Sequence, residues 1–308
     1  MSSPRALVLG SASRLPAYHF TPFFRSLRAV GFEGTICLFA SRLDPGERET
    51  LRPLVDEVVD VDGCYEPAAP AWSVRLLDWS KHQRGLRKHY PALCRRVGRA
   101  VGSAPGNAVA ADLEFRLEGL QSLRYSHYLA YLEAHHEFEA VMISDVRDVI
   151  FQRDPFVGGV EEIEVFLEEP HVTFAAGGFN PRWVEDLYGA GAVAALQDRT
   201  VSCSGVTVGT REGMIGYLGK MVEEVRRHVP PLGAHDQAMH NWLVYTGALG
   251  SPTIVPNGRG RVLTMGALTQ VDATTDGVVL NSDGSVPAVL HQYDRHVELA
   301  HALLTAIP

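Results

Sequence analysis

Short β-branched runs alternate with amphipathic segments from the first residues of the chain, and this alternation narrows its folding options more than any other feature. Ala6-Leu7-Val8-Leu9-Gly10 reads as a buried strand, and Pro22 to Val30 carries apolar residues at helical spacing. Thr35 to Phe39 predicts a second strand, Pro45 to Leu54 a second helix and Glu57 to Val61 a third strand. Strands and helices in this order need crossover connections, so the expected architecture is α/β, a three-layer sandwich around a mostly parallel sheet.

Downstream, a helical pattern from Leu113 to Ala134, with Leu117, Leu120, Leu123 and Tyr128 on one stripe, feeds the apolar run Ala140 to Ile143. That strand is expected to end at Ser144. Tyr125, Tyr128 and Tyr131 read as core or cleft wall. Further expectations are a strand at Val172 to Ala175, helices at Val184 to Gln197 and Glu212 to His228, a helix opening near Asp236 and a closing helix over Val297 to Leu304. The stretch from Thr253 to Leu290 holds short strand-like pieces. Breaker-rich segments at Tyr65 to Trp72 and Gly102 to Gly106 read as loops, without marking a domain boundary.

The segment richest in chemistry is Val141-Met142-Ile143-Ser144-Asp145-Val146-Arg147-Asp148-Val149-Ile150-Phe151. Ligands of open α/β sheets collect beyond the carboxyl ends of the strands, so Asp145 and Asp148 are expected to emerge within reach of one. Carboxylate oxygens suit Mg²⁺ or Mn²⁺, which complete their shells with water and phosphate oxygens. Arg147 between them could neutralise phosphate. The plain alternative is a charged surface turn. Against it, apolar runs on both sides leave four polar residues between buried segments. Gly10 and Ser11, in the first turn after a strand, are candidates for contact with a nucleotide.

This acidic loop, with Asp154-Pro155-Phe156 closing it, resembles the metal-binding loop of nucleotide-sugar glycosyltransferases of the GT-A fold, in their glycogenin-like retaining branch or a distant relative of it. Asp148 stands where the second Asp of the Asp-x-Asp motif would fall. Val146 occupies the first motif position, so the pattern here is Asp-x-x-Asp and Asp145 lies one residue early. Ser202-Cys203-Ser204-Gly205 is similar to the family's small-residue strand, which implies that Ser204 and Gly205 border the donor sugar. His235-Asp236-Gln237-Ala238-Met239-His240-Asn241 is similar to its Asp-Gln-x-x-x-Asn helix start, which implies that Asp236 and Gln237 contact the transferred sugar or the acceptor, with Asp236 as a base if the reaction inverts. A late His on the same metal is implied at His291. The resemblance rests on four short motifs. It implies one GT-A-like domain over 1–308, with a nucleotide-binding half (1–156) and an acceptor-binding half (157–308).

The implied function is transfer of a sugar from a nucleoside-diphosphate donor to a small-molecule or glycan acceptor with Mn²⁺ or Mg²⁺. A sugar-nucleotide nucleotidyltransferase and a non-catalytic sugar-nucleotide-binding module are the alternatives. The first would be expected to carry a Gly-rich basic loop after its first strand, which Gly10 to Arg14 matches poorly. The chain has neither Gly-x-Gly-x-x-Gly nor a P-loop, and His135-His136-Glu137 does not extend to His-Glu-x-x-His, which disfavours dinucleotide oxidoreductase, P-loop phosphotransfer and zinc-protease chemistry. There is no Gly-x-Ser-x-Gly elbow either. With 28 Lys+Arg against 36 Asp+Glu, bulk-charge affinity for nucleic acid or anionic lipid is not expected. The cysteines 37, 64, 94 and 203 are widely spaced, and no apolar run is long enough to span a membrane, so a cytoplasmic protein with reduced thiols is expected.

Overall fold

A computed structural model describes residues 5–13, 16–41, 43, 45–61, 123–228 and 235–307. The loops expected at Tyr65 to Trp72 and Gly102 to Gly106, and the helical pattern before residue 123, lie outside the described residues.

The N-terminal alternation folds as read. Strand β1 (Ala6–Ser13) leads through α1 (Thr21–Ala29) to β2 (Thr35–Ser41), and α2 (Pro45–Leu51) leads to β3 (Glu57–Asp60). After α3 (123–134) come β4 (Ala140–Asp145), β5 (Val149–Phe151) and β6 (Ile163–Leu167). Then follow α4 (Phe179–Tyr188), α5 (Ala190–Leu196), β7 (Ser202–Thr210), α6 (Arg211–Arg227) and α7 (His235–Tyr245). Three short strands, β8 (Thr253–Val255), β9 (Val262–Thr264) and β10 (Val289–His291), precede the last helix, α8 (Val297–Ala306).

Seven strands form one sheet in the order β3-β2-β1-β4-β7-β6-β8. Only β7 runs antiparallel to its neighbours, so β1, β4 and β6 share a direction and end on one edge. Side chains of consecutive strand residues point to opposite faces. Val8, Ala12 and Met142 accordingly pack with Phe23, Phe24, Leu27 and Leu51 of α1 and α2 on one face. Leu7, Leu9, Val141 and Ile143 pack with α3, α6 and α7 on the other. Each large apolar side chain so buried contributes about 1.5–3 kcal/mol. The result is a Rossmann-like three-layer sandwich. Helix α6 starts directly from β7 because Thr210, in extended backbone, accepts the Gly213 amide as an N-cap.

Two expectations change, and one pairing is new. Val172 to Ala175 is not a strand; Phe174–Ala176 forms a 3-10 turn whose amides at 174 and 175 are taken by the Arg199 and Gln197 carbonyls. The expected helix from Val184 to Gln197 is two helices, broken at Gly189, whose φ of 83° lies in a region that glycine favours. The apolar run after Asp148 leaves the main sheet, pairing as β5 with β10 in a second sheet of order β5-β10-β9. No described helix is long and apolar enough to cross a membrane.

Candidate metal centre

Two sheets meet at the acidic turn. Asp145 ends β4, in register with Ser11 of β1, at the carboxyl edge that the parallel strands share. The turn over residues 146–148 then carries the chain into β5. Antiparallel pairing sets His291 of β10 opposite Val149, the residue after Asp148. Gln292 follows in a left-handed conformation (φ 58°) and donates its amide to the Asp148 carbonyl at 2.7 Å, locking the two segments together. Asp145, Asp148 and His291 thereby bring one ligand atom each within 4.8 Å of one another.

The third wall is β7. Its pairing with β4 runs to Ser144 opposite Val206, and one further step brings Gly205 against Asp145. A register shift in the β6 pairing, from Val165–Thr207 to Phe166–Cys203, leaves Ser204 and Gly205 out of that ladder. A Cβ at Gly205 would lie 2.6 Å from His291 Nε2 and 3.0 Å from Asp145 Oδ2. The glycine is thus what leaves room around these two side-chain atoms.

The donor set fits a divalent cation. The His291 side chain is 2% exposed, its Nε2 stands 3.9 Å from Asp148 Oδ1, and its Nδ1 is buried without a hydrogen-bond partner among the described residues. Burial raises the Asp148 carboxyl above the ordinary carboxylate range; His291 lowers it and the neighbouring Asp145 and Asp294 raise it. Two carboxylates crowded this way gain from a shared cation. Two carboxylate oxygens and an imidazole with open positions suit Mn²⁺ or Mg²⁺.

Arg124 of α3 organises the neighbouring layer, and sequence reasoning missed it. Its side chain is 8% exposed and donates to Asp145 Oδ1 at 2.5 Å and to Asp236 Oδ2 at 2.9 Å. Tyr125 donates to the same Asp236 oxygen at 3.2 Å. Asp145 is therefore held through one oxygen while the other faces Gly205 and His291. A cation on the apolar stripe of Tyr128 and Leu132 was the available signal. Burial raises the Asp236 carboxyl, and Arg124 draws it back.

A second polar group lies along β7. Gln237 Nε2 donates to Asn180 Oδ1 at 2.7 Å and to Glu168 Oε1 at 3.5 Å, and Cys203 Sγ reaches Gln237 Oε1 at 3.7 Å. Glu168 follows β6 on the same edge as Asp145, a strand-then-acid pattern that sequence reading passed over. Burial raises its carboxyl, with His291 and Gln237 lowering it. Burial also lifts the thiols of Cys37 and Cys203, so neither is poised as a thiolate nucleophile.

The other sequence candidates divide. Ser204 is buried beside Gly205, while Ser11 is half-buried at the end of β1. Gly10 is required by packing: a Cβ there would lie 2.3 Å from Val146 Cγ1. Arg147 carries a 54% exposed side chain and pairs with Asp294 at 3.4 Å. Asn241 is buried and clamps Ser202, accepting its amide at 2.7 Å and donating to its carbonyl at 2.7 Å. A cavity of ≈ 570 Å³ bounded by Arg5, Phe32, Phe138 and Phe156 opens at the amino ends of the parallel strands, the edge opposite to the acidic turn. No protein-family model matches the chain, and no curated protein matches it.

Proposed function

We propose that the protein is a metal-dependent glycosyltransferase, moving a sugar from a nucleoside-diphosphate donor to a small-molecule or glycan acceptor. The observation that carries the reading is the meeting of Asp145, Asp148 and His291 at the carboxyl edge of the sheet, with Gly205 pressed against them. The resemblance of the acidic loop and of the Ser204-Gly205 and Asp236-Gln237 segments to the GT-A family supplies the donor class.

A divalent cation on these three residues would neutralise charge growing on the diphosphate as the glycosidic bond breaks. The residues themselves do the positioning. Arg124 orients Asp145 and pairs with Asp236, so that the buried Asp236 carboxyl is not left without a partner. Asp236, held by Arg124 and Tyr125, serves here as an anchor for the guanidinium in preference to a proton-abstracting base. Gly205 and Ser204 border the sugar, and Gln237 with Glu168 lines the side on which an acceptor would approach. Ser11, at the end of β1, would meet the nucleoside.

The test is turnover of a panel of nucleoside-diphosphate sugars with Mn²⁺ and then with EDTA. Metal-dependent release of nucleoside diphosphate from at least one donor is expected. Absence of release from every donor leaves a binding module. Pyrophosphate release from a nucleoside triphosphate and a sugar phosphate would replace the reading with nucleotidyl transfer.

A further inference from the structure

Of the large apolar side chains that stand exposed among the described residues, Tyr18, Val157 and Ile254 lie on separate segments, and Val297 and Leu304 lie two turns apart on α8. Phe179 is different. It is 69% exposed and lies stacked on Trp183, one turn along α4, with ring centroids 5.7 Å apart and planes 21° from parallel. Gly177 and Gly178, both at positive φ, lift the chain out of the preceding turn and into this helix. Trp183 is half-buried against the core of α4, α5 and α7, so Phe179 presents an apolar ring to water on an aromatic base that is fixed in place, which marks a contact surface.

Its position says what that contact is. Asn180, next to Phe179, is bonded to Gln237, and through Gln237 to Glu168 and Cys203, the residue adjoining Ser204 and Gly205. Trp183 also leans on His235, with centroids 6.1 Å apart, and His235 Nε2 meets Asp186 Oδ2 at 3.2 Å. The aromatic ledge is thus continuous with the polar wall of the metal centre and is rimmed by an amide and a carboxylate. Such a mixture suits a ring with one apolar face and equatorial hydroxyls. The patch is only two rings wide, and Glu185 and Asp186 beside it disfavour an anionic lipid surface.

Building on the glycosyltransferase reading, we propose that the Phe179–Trp183 ledge is the acceptor subsite, where a pyranose ring stacks its C–H face on the aromatic pair and places hydroxyls at Asn180 and Asp186. The ledge would hold the acceptor at the mouth of the site and select for a ring-closed sugar.

The intact, metal-free chain is titrated with methyl α- and β-glucopyranoside, methyl β-galactopyranoside, maltose, cellobiose and lactose, with sorbitol as the open-chain control. Binding is followed by saturation-transfer NMR and tryptophan fluorescence. At least one pyranoside is expected to saturate while sorbitol does not, and Phe179→Ala is expected to weaken that binding about tenfold or more. Phe179 is exposed, so this variant should fold, which circular dichroism checks; Trp183→Phe, which keeps a ring, should fall between the two. No saturable pyranoside, or equal affinity in Phe179→Ala, overturns the proposal. A change in sedimentation of Phe179→Ala with sugar binding unaltered also overturns it, because the ledge would then be a protein contact. Failure of the glycosyltransferase reading shows separately, as absence of Mn²⁺-dependent donor turnover in the unaltered protein.

Discussion

Replacing Gly205 with Ala adds one methyl group at the point where β7, Asp145 and His291 come closest. Its φ lies outside the left-handed region, so alanine can take up the same backbone, and the consequence is purely one of space. The new carbon would sit 2.6 Å from His291 Cε1 and Nε2. Carbon atoms pack at about 3.5 Å or more, so the imidazole, the added methyl or both must retreat by about 1 Å in total. The ring is buried and held in β10, which leaves it little room to do so. Metal–ligand distances tolerate about 0.2 Å, so a shift of this size displaces His291 as a ligand. The expected outcome is a loss of Mn²⁺ affinity of roughly 10–100-fold, by titration calorimetry. Overpacking should also lower stability by about 1–3 kcal/mol in urea unfolding without metal. In a His291→Ala background the stability cost of Gly205→Ala should largely vanish, because the obstructing ring is gone. Unchanged Mn²⁺ affinity in Gly205→Ala would refute the assignment of His291 and Asp145 to one metal.

Three further outcomes follow from the same geometry. Arg124→Met leaves Asp236 buried and Asp145 partly buried without their cation and should cost about 3–5 kcal/mol, with much of that recovered by Asp236→Asn in the same chain; chemical denaturation of the four-member cycle measures it. Asp148→Asn relieves a crowded carboxylate pair, so thermal stability without metal should hold or rise by up to about 1 kcal/mol while Mn²⁺-dependent turnover is lost. His240 is buried between Ser202 and Tyr217, and burial pushes its pKa down from 6.5 to about 3. The unfolded chain then takes up the proton first, so stability falls as pH drops below about 6.5. By pH 5 this histidine alone should account for a loss of about 2 kcal/mol, and the decline should end near pH 3. In urea titrations at pH 7 and pH 5, His240→Gln should lose less than the unaltered protein; equal losses would remove His240 as the cause.

Much of the fold was legible because it is local. The apolar runs at Ala6 and Thr35 and the helix between them declare themselves through spacing, and each starts within a residue of where spacing puts it. Strand β6 did not declare itself. Glu164 interrupts its apolar pattern, and this buried carboxylate is tolerated because Arg261, 97 residues away, binds it at 2.9 Å. The run from Val172 to Ala175 failed in the opposite direction: it looks strand-like, but its amides bond to Arg199 and Gln197 in a tight turn instead of a ladder. Within the site, Asp145 and Asp148 stood out as acids after an apolar strand. Arg147, read as a phosphate partner from its place between them, pairs with Asp294, and Arg124, which the sequence reading passed over, holds Asp145.

By itself, the amino-acid order marked the N-terminal strands and helices and the charged turn between two buried runs, since both depend on residues a few positions apart. Only the tertiary structure decided what surrounds that turn. His291 reaches Asp148 through the register of β10 on β5, and Arg124 reaches Asp236, 112 residues away, because packing brings the two buried charges together and burial penalises either one left unpaired. Sheet register and the pairing of buried charges are set by the whole packed chain, and no short stretch of sequence carries them.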